Sequence, residues 1–131
     1  FNEFDATNPP HVYGKSKQAG ERFVNELNQH HIIVRSSWVY TARPDDLLGR
    51  ALLASAQGKT VPVPANQFAC PTSVDTFAKF VIAAMESDEF GTFHAACTGV
   101  TSRFEFFERA FALAGHAAIA CIAEHHLTPR A

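Results

Sequence analysis

The chain predicts an α/β fold with a parallel sheet, and three observations carry that prediction. Residues 12–27 hold helical periodicity. The run His31-Ile32-Ile33-Val34-Arg35-Ser36 follows almost at once and is short, continuous and β-branched, the pattern of a strand buried on both faces of a parallel sheet. Further helical patterns and strand-like runs continue to residue 123. With 131 residues, 47% hydrophobic and 18% charged, the composition is that of an ordinary globular domain with a real core.

Taken in order, residues 1–8 are polar and without periodicity, and Pro9-Pro10 closes them. Pro10 biases Pro9 away from helix, so the first helix begins at or after Pro10. At ~100° per residue, Val12, Ser16, Ala19, Phe23 and Leu27 share one face, read as the core stripe. Tyr13, Lys17, Gly20 and Val24 form the adjoining stripe, at the border of the buried face. Gly14 and Gly20 cost helix propensity, which makes sense where something approaches the backbone closely. After the first strand, Ser36-Ser37-Trp38-Val39-Tyr40 lies at its carboxyl end, the edge where ligands bind in open α/β sheets. Asp45-Asp46 reads as a solvated helix start.

Residues 47–57 predict a helix stopped by Gly58. Thr60-Val61-Pro62-Val63-Pro64 predicts an extended sheet edge or short isolated strand, and residues 66–73 a loop. Val74, Phe77, Ala78, Val81, Ile82 and Met85 outline an amphipathic helix. Residues 91–96 predict a strand. Ser102-Arg103-Phe104-Glu105 has capping-box spacing, and Phe104, Phe107, Phe111 and Leu113-Ala114 supply an apolar helix face ending at Gly115. Residues 120–123 are a last short strand.

The formal charge of -2, without a basic cluster, leaves no electrostatic footprint for nucleic acid or an anionic membrane, so neither is expected as a partner. The apolar runs are too short to span a bilayer, and the first ten residues lack signal-peptide character. Cys70, Cys97 and Cys121 are widely spaced and odd in number, as for reduced thiols, and a cytoplasmic location is expected. His30-His31 and His125-His126 lack the i, i+4 spacing of a helical metal site and read as surface histidines. His94 reads as a semi-buried strand histidine, and Glu21 and Arg22 as an exposed or locally paired face. Arg35, in a buried strand, calls for a hydrogen-bonded or carboxylate partner that the sequence does not name.

The chemistry concentrates in Tyr13 and Lys17. Residues at i and i+4 stack on a helix surface, so the ammonium can sit beside the phenol. A nearby cation favours phenolate and lowers a pKa that starts at ~10, the tuning a tyrosine needs to protonate a developing alkoxide near neutral pH.

Five blocks in order carry a resemblance: Tyr13-Gly14-x-Ser16-Lys17-x-x-Gly20-Glu21, Val34-Arg35-Ser36-Ser37-Trp38-Val39-Tyr40, Gln67-x-x-x-Pro71-Thr72, Gly91-x-Phe93-His94 and Ser102-x-Phe104-Glu105-Phe106. Over nearly its whole length the chain resembles the dTDP-4-dehydrorhamnose reductases, extended short-chain dehydrogenase/reductases that use a nicotinamide cofactor. The resemblance implies the carboxyl-terminal part of a Rossmann-like parallel sheet plus a small mixed α/β substrate-binding region. Residues 1–45 would end the NAD(P)-binding domain, and residues 46–131 would form the substrate-binding region. It implies Tyr13 as the acid protonating the C4 oxygen of a keto-sugar, Lys17 as its tuner and a ligand of the nicotinamide ribose, and Trp38 as the residue beside the sugar. Tyr13 and Lys17 thus count as both catalytic and cofactor-binding.

The implied cofactor is NADPH or NADH. Mg2+ is allowed by the resemblance without support from this sequence, and a homodimer is allowed for the full-length parent. The family's glycine-rich phosphate loop and catalytic Ser/Thr lie before the position matching Phe1, so a fragment inactive by itself is expected. Departures stand at Asn66-Gln67-Phe68-Ala69-Cys70-Pro71-Thr72, where the family reads Asp-Gln-x-Gly-Ser-Pro-Thr, and at Arg103-Phe104, which replaces an aromatic pair. The loop departure permits a shifted sugar preference. Two other readings remain open: another nucleotide-sugar reductase or epimerase on the same scaffold, and a non-catalytic regulatory subunit similar to the β subunit of methionine adenosyltransferase.

Overall fold

The computed structural model describes residues 1–116 and the backbone of residues 121–124. Among the described residues, four helices are interspersed with eight short strands: α1 Val12–Leu27, β1 Ile32–Arg35, β2 Val39–Tyr40, α2 Leu47–Ala56, β3 Val61–Pro64, β4 Phe68–Ala69, β5 Thr72–Ser73, α3 Val74–Met85, β6 Gly91–His94, β7 Thr101–Ser102, α4 Arg103–Leu113 and β8 Cys121–Glu124. Three strand pairs are parallel, β1 with β6, β2 with β5 and β3 with β8, and β4 pairs antiparallel with β7. The α/β class with parallel pairing is thus the architecture observed. The expected loop over residues 66–73 contains β4 and β5. Two-residue strands are too short to show the alternation by which a strand is read from sequence.

Local chemistry explains the helix starts. Asp46 caps α2, its side chain accepting from the Leu47 N–H, and Ser73 caps α3 by accepting from Thr76. At α4 the capping box is complete: the Ser102 hydroxyl accepts from the Glu105 N–H, and the Glu105 carboxylate accepts from the Ser102 N–H. Gly58 and Gly115 lie past the ends of α2 and α4 with φ of 72° and 74°, the left-handed conformation glycine adopts without a Cβ penalty.

The core lies between α2, α4 and β3: Leu48, Ala51, Val63, Phe107 and Phe111 are buried together, with Tyr40, Leu52, Val61, Phe104, Phe106 and Ala110 packed against them. Phe106, Phe107 and Phe111 meet edge to face along α4, a favoured aromatic geometry. Leu113, expected on that face, is exposed.

Two helices present other faces than the sequence suggested. On α1 no residue is buried; Val12, Phe23 and Leu27 of the expected core stripe are exposed, Leu27 by 84%. The face turned inward is Gly14, Gln18, Ala19 and Glu21, a set of small and polar residues in which Ala19 is the one member of the expected stripe. Gly14 meets the backbone-approach expectation, because a Cβ there would stand 2.7 Å from Pro9 Cβ. Gly20 does not, with open space around it. On α3 the inward face is Phe77, Phe80, Val81 and Ala84, whereas Ile82 and Met85 are exposed. Phe80 and Phe93 of β6 place their ring centroids 6.4 Å apart. Correspondingly β1 is half-buried along its length rather than buried on both faces, because β6 is its only strand neighbour among the described residues.

Candidate active site

Tyr13 and Lys17 stand together on the first half of α1, with the Lys17 ammonium over the Tyr13 ring at 5.4 Å from its centroid. This is the i, i+4 juxtaposition the spacing calls for. Tyr13 is 68% exposed, more than a stripe bordering a buried face suggests, because the face beside it is the polar Gly14, Gln18 and Glu21 set. An exposed phenol and ammonium side by side suit a ligand with adjacent hydroxyls, such as a ribose, or an oxygen acquiring charge.

Below this pair the structure assembles a charged network. Arg35 of β1 forks onto Glu21 of α1, its Nε donating to Oε1 at 3.0 Å and its Nη2 to Oε2 at 2.6 Å, and both side chains are about three-quarters shielded from solvent. The carboxylate that Arg35 needs is therefore Glu21. The Glu21 bond holds the Arg35 guanidinium above its usual pKa. The Glu3 carboxylate accepts from the His94 N–H at 2.9 Å, and this bond holds it below the usual glutamate range. Lys17, Glu21, Arg35 and His94 line one open hollow of about 390 Å³ with the first residues of the chain. Glu3 was missed because a lone glutamate in an aperiodic stretch gives no signal. Glu21 was within reach, one turn past Lys17 in a chain with an unpartnered strand arginine.

Trp38 occupies a second cavity, of about 190 Å³, which shares no lining residue with the first. Its half-buried indole stacks under Arg103, whose guanidinium carbon lies 4.6 Å from the ring centroid. This is a cation–π contact. Tyr40, Leu48, Phe106 and Phe107 form the apolar walls, and Asp46 stands at the edge. Both Asp46 oxygens are occupied, accepting from the Thr41 and Leu47 N–H groups at 2.7 Å each. Those backbone bonds, Thr41 first, hold its carboxyl below the usual aspartate range. Asp45 pairs with exposed Arg43. The reading of Asp45-Asp46 as a helix start holds, with Asp46 as its cap.

The Pro71-Thr72 block buttresses this cavity. Thr72 is 1% exposed; its N–H donates to the Trp38 carbonyl at 3.1 Å, while its hydroxyl donates to the Cys70 carbonyl and accepts from the Cys97 N–H, each at 3.1 Å. The Ser37 hydroxyl accepts from the Cys70 N–H. Cys70 and Cys97 are half-buried free thiols. His30 lies against Phe90 and His31 Nδ1 against the Asn28 carbonyl; His125-His126 fall outside the described residues. No cluster of three or more His, Cys, Asp or Glu able to hold a metal exists among the described residues, so the Mg2+ allowed by resemblance has no ligand set there. No described helix is long and apolar enough to cross a membrane.

Comparison with known proteins places the chain in a family. A model of the RmlD substrate binding domain matches residues 1–131. A dTDP-4-dehydrorhamnose reductase of Sinorhizobium fredii is 33% identical over 120 residues, covering 86% of this chain and 40% of that protein. A dTDP-4-keto-6-deoxy-D-glucose reductase of Streptomyces niveus is 28% identical over 116 residues, covering 88% and 40%. The crystal structure of dTDP-4-dehydrorhamnose reductase from Bacillus anthracis in complex with NADP superposes with a TM-score of 0.87 at 30% identity, covering 93% of this chain and 43% of that one. The chain thus spans about two fifths of the length of these relatives. An α/β chain carrying Tyr13 and Lys17 on one helix and Trp38 beyond the next strand, matched from end to end by this model, belongs to the RmlD substrate-binding-domain family.

Proposed function

We propose that this chain is the substrate-side part of a nucleotide-sugar oxidoreductase that reduces the 4-keto group of dTDP-4-dehydro-L-rhamnose to give dTDP-L-rhamnose. The observation that carries the reading is the Tyr13–Lys17 juxtaposition on α1, in a chain matched over its full length by the RmlD substrate-binding model. Residues 1–45 would serve the cofactor and residues 46–131 the sugar, the chain crossing back where β6 pairs with β1.

Tyr13 protonates the C4 oxygen as negative charge develops on it. Lys17 supplies the positive charge beside the phenol that stabilises the phenolate left behind, and its ammonium donates to ribose hydroxyls. The exposed phenol and ammonium fit a nicotinamide ribose, so Tyr13 and Lys17 are the residues of this chain that would hold NADPH or NADH. When bound, that cofactor supplies the hydride. The Trp38 indole presents an aromatic face to the apolar side of a pyranose, and a cavity of about 190 Å³ has room for one ring.

The test is NADPH consumption by the full-length protein that carries this chain, with dTDP-4-dehydro-L-rhamnose as substrate and the product identified by NMR. Stoichiometric formation of dTDP-L-rhamnose is expected. Absence of turnover with any dTDP-keto-sugar overturns the reading. A second reading, reduction of a different dTDP-keto-sugar, is favoured by the loop from Asn66 to Thr72, where Ala69 and Cys70 replace the family's Gly-Ser beside Trp38. A dTDP-4-keto-6-deoxy-D-glucose assay in parallel separates the two.

A further inference from the structure

The helix that carries Tyr13 and Lys17 has no fully buried residue. Its shielded residues are Gly14, Gln18, Ala19 and Glu21, and three of them have a defined partner. Gly14 sits against Pro9, Gln18 donates to the Thr7 carbonyl at 3.1 Å and to its hydroxyl, and Glu21 receives the Arg35 fork. The first two partners belong to the aperiodic stretch before the helix. Among the hydrogen bonds and ion pairs of the described residues, only the fork ties α1 to a strand.

The far side of the fork is itself well held. Arg35 pairs in register with His94, and the Ala95 N–H donates to the Arg35 carbonyl at 2.8 Å. The next residue, Ser36, donates its hydroxyl to the Ala95 carbonyl at 2.7 Å. Two residues on, the Trp38 carbonyl accepts from Thr72. A continuous set of bonds therefore runs from the sugar-side tryptophan to the guanidinium that grips α1, one turn beyond Lys17. A bidentate arginine–carboxylate pair fixes orientation as well as distance, because two parallel bonds allow neither group to swivel.

We infer that Glu21 and Arg35 are positioning residues for the proton donor, their forked ion pair setting how α1 is turned against β1 and hence where Tyr13 stands relative to a substrate resting on Trp38. Neither touches the reacting atoms in this role. Asp5, Lys17 and His94 are the other charged or titratable side chains lining the same hollow, and Glu3 accepts from the His94 N–H. The inference rests on the reductase reading.

The test uses the full-length protein and compares the parent with Glu21→Gln, Arg35→Lys, the exchanged pair Glu21→Arg/Arg35→Glu, and Tyr13→Phe. Misplacing a reacting group by about 1 Å costs on the order of a hundredfold. Glu21→Gln is therefore expected to lower kcat per folded molecule by about tenfold to a hundredfold, with KM for the sugar changed less than about threefold. Arg35→Lys, which keeps the charge and loses the fork, is expected to fall in between. The exchanged pair is expected to recover most of the lost kcat. A merely structural ion pair would lower the melting temperature and the folded fraction and leave kcat per folded molecule at the parent value, and that result overturns the inference. So does an exchanged pair that regains the parent melting temperature without regaining kcat. A parent that turns over, a Tyr13→Phe that does not and fork variants equal to the parent would sink the inference alone. An inert parent would sink the reductase reading and this inference with it.

Discussion

Tyr13 and Lys17 owe their pairing to helical spacing alone, so their meeting was legible from the sequence without any knowledge of tertiary structure. Trp38 was placed by the same logic, as the end of a strand reached from a helix. Arg103 stacked on it was not, because the two are 65 positions apart and cation–π partners leave no local pattern. If the indole supports the sugar, Trp38→Ala in the full-length protein should raise KM for the keto-sugar by about tenfold, the order of a lost ring-stacking contact, with a smaller effect on kcat. Unchanged KM would remove Trp38 from the binding site. Thr72 shows how a motif residue can serve the fold. Its buried hydroxyl serves the Cys70 carbonyl and the Cys97 N–H, so Thr72→Val keeps the shape and strands two backbone groups. A loss of about 1–3 kcal/mol is expected in denaturant unfolding; a loss within error of zero would show that those groups find other partners.

Element boundaries with a chemical signature were readable, and element faces were not. Pro10 marked the start of α1, Gly58 and Gly115 the ends of α2 and α4, and Ser102 with Glu105 the start of α4, because each acts through local backbone geometry. The faces of α1 and α3 were misjudged because the sequence shows where apolar residues recur without showing which neighbour they meet. α1 turns its polar face to Thr7 and Arg35 and leaves Val12, Phe23 and Leu27 exposed, and on α3 the inward stripe is displaced to take in Phe80 and Ala84. The capping box is the best-determined of these local features. Removing the buried Ser102 hydroxyl in Ser102→Ala should cost about 1 kcal/mol, measured by chemical denaturation. Ser102→Asp, which can still accept from the Glu105 N–H, should lose less. Equal losses in both would mean that the hydroxyl is held by packing and not as a cap.

At the scale of the molecule, the α/β class followed from the order of helix and β-branched run. The pairing of strands into four two-stranded units among the described residues did not, because which short strands meet is decided by tertiary contacts. The charges predict how this assembly responds to acid. Glu3, Asp46 and Glu105 each accept backbone N–H bonds, led by those of His94, Thr41 and Ser102, and each is held below its ordinary pKa. A carboxylate with a lower pKa folded than unfolded binds fewer protons in the fold. Its contribution is thus fully present above the unfolded value of about 4 and is lost as pH falls through the folded value. Melting temperature should therefore be flat with respect to these groups near neutrality and fall below about pH 4.5, less steeply in Glu105→Gln. A melting temperature that rose on acidification would contradict this. The proposed reduction turns on Tyr13 as the proton donor, and its most direct test is the single-turnover rate of the full-length protein with NADPH and dTDP-4-dehydro-L-rhamnose, parent against Tyr13→Phe. Loss of the phenol proton should slow the chemical step by about a hundredfold or more with binding nearly unchanged; a Tyr13→Phe protein that reduces the keto-sugar at the parent rate would contradict it.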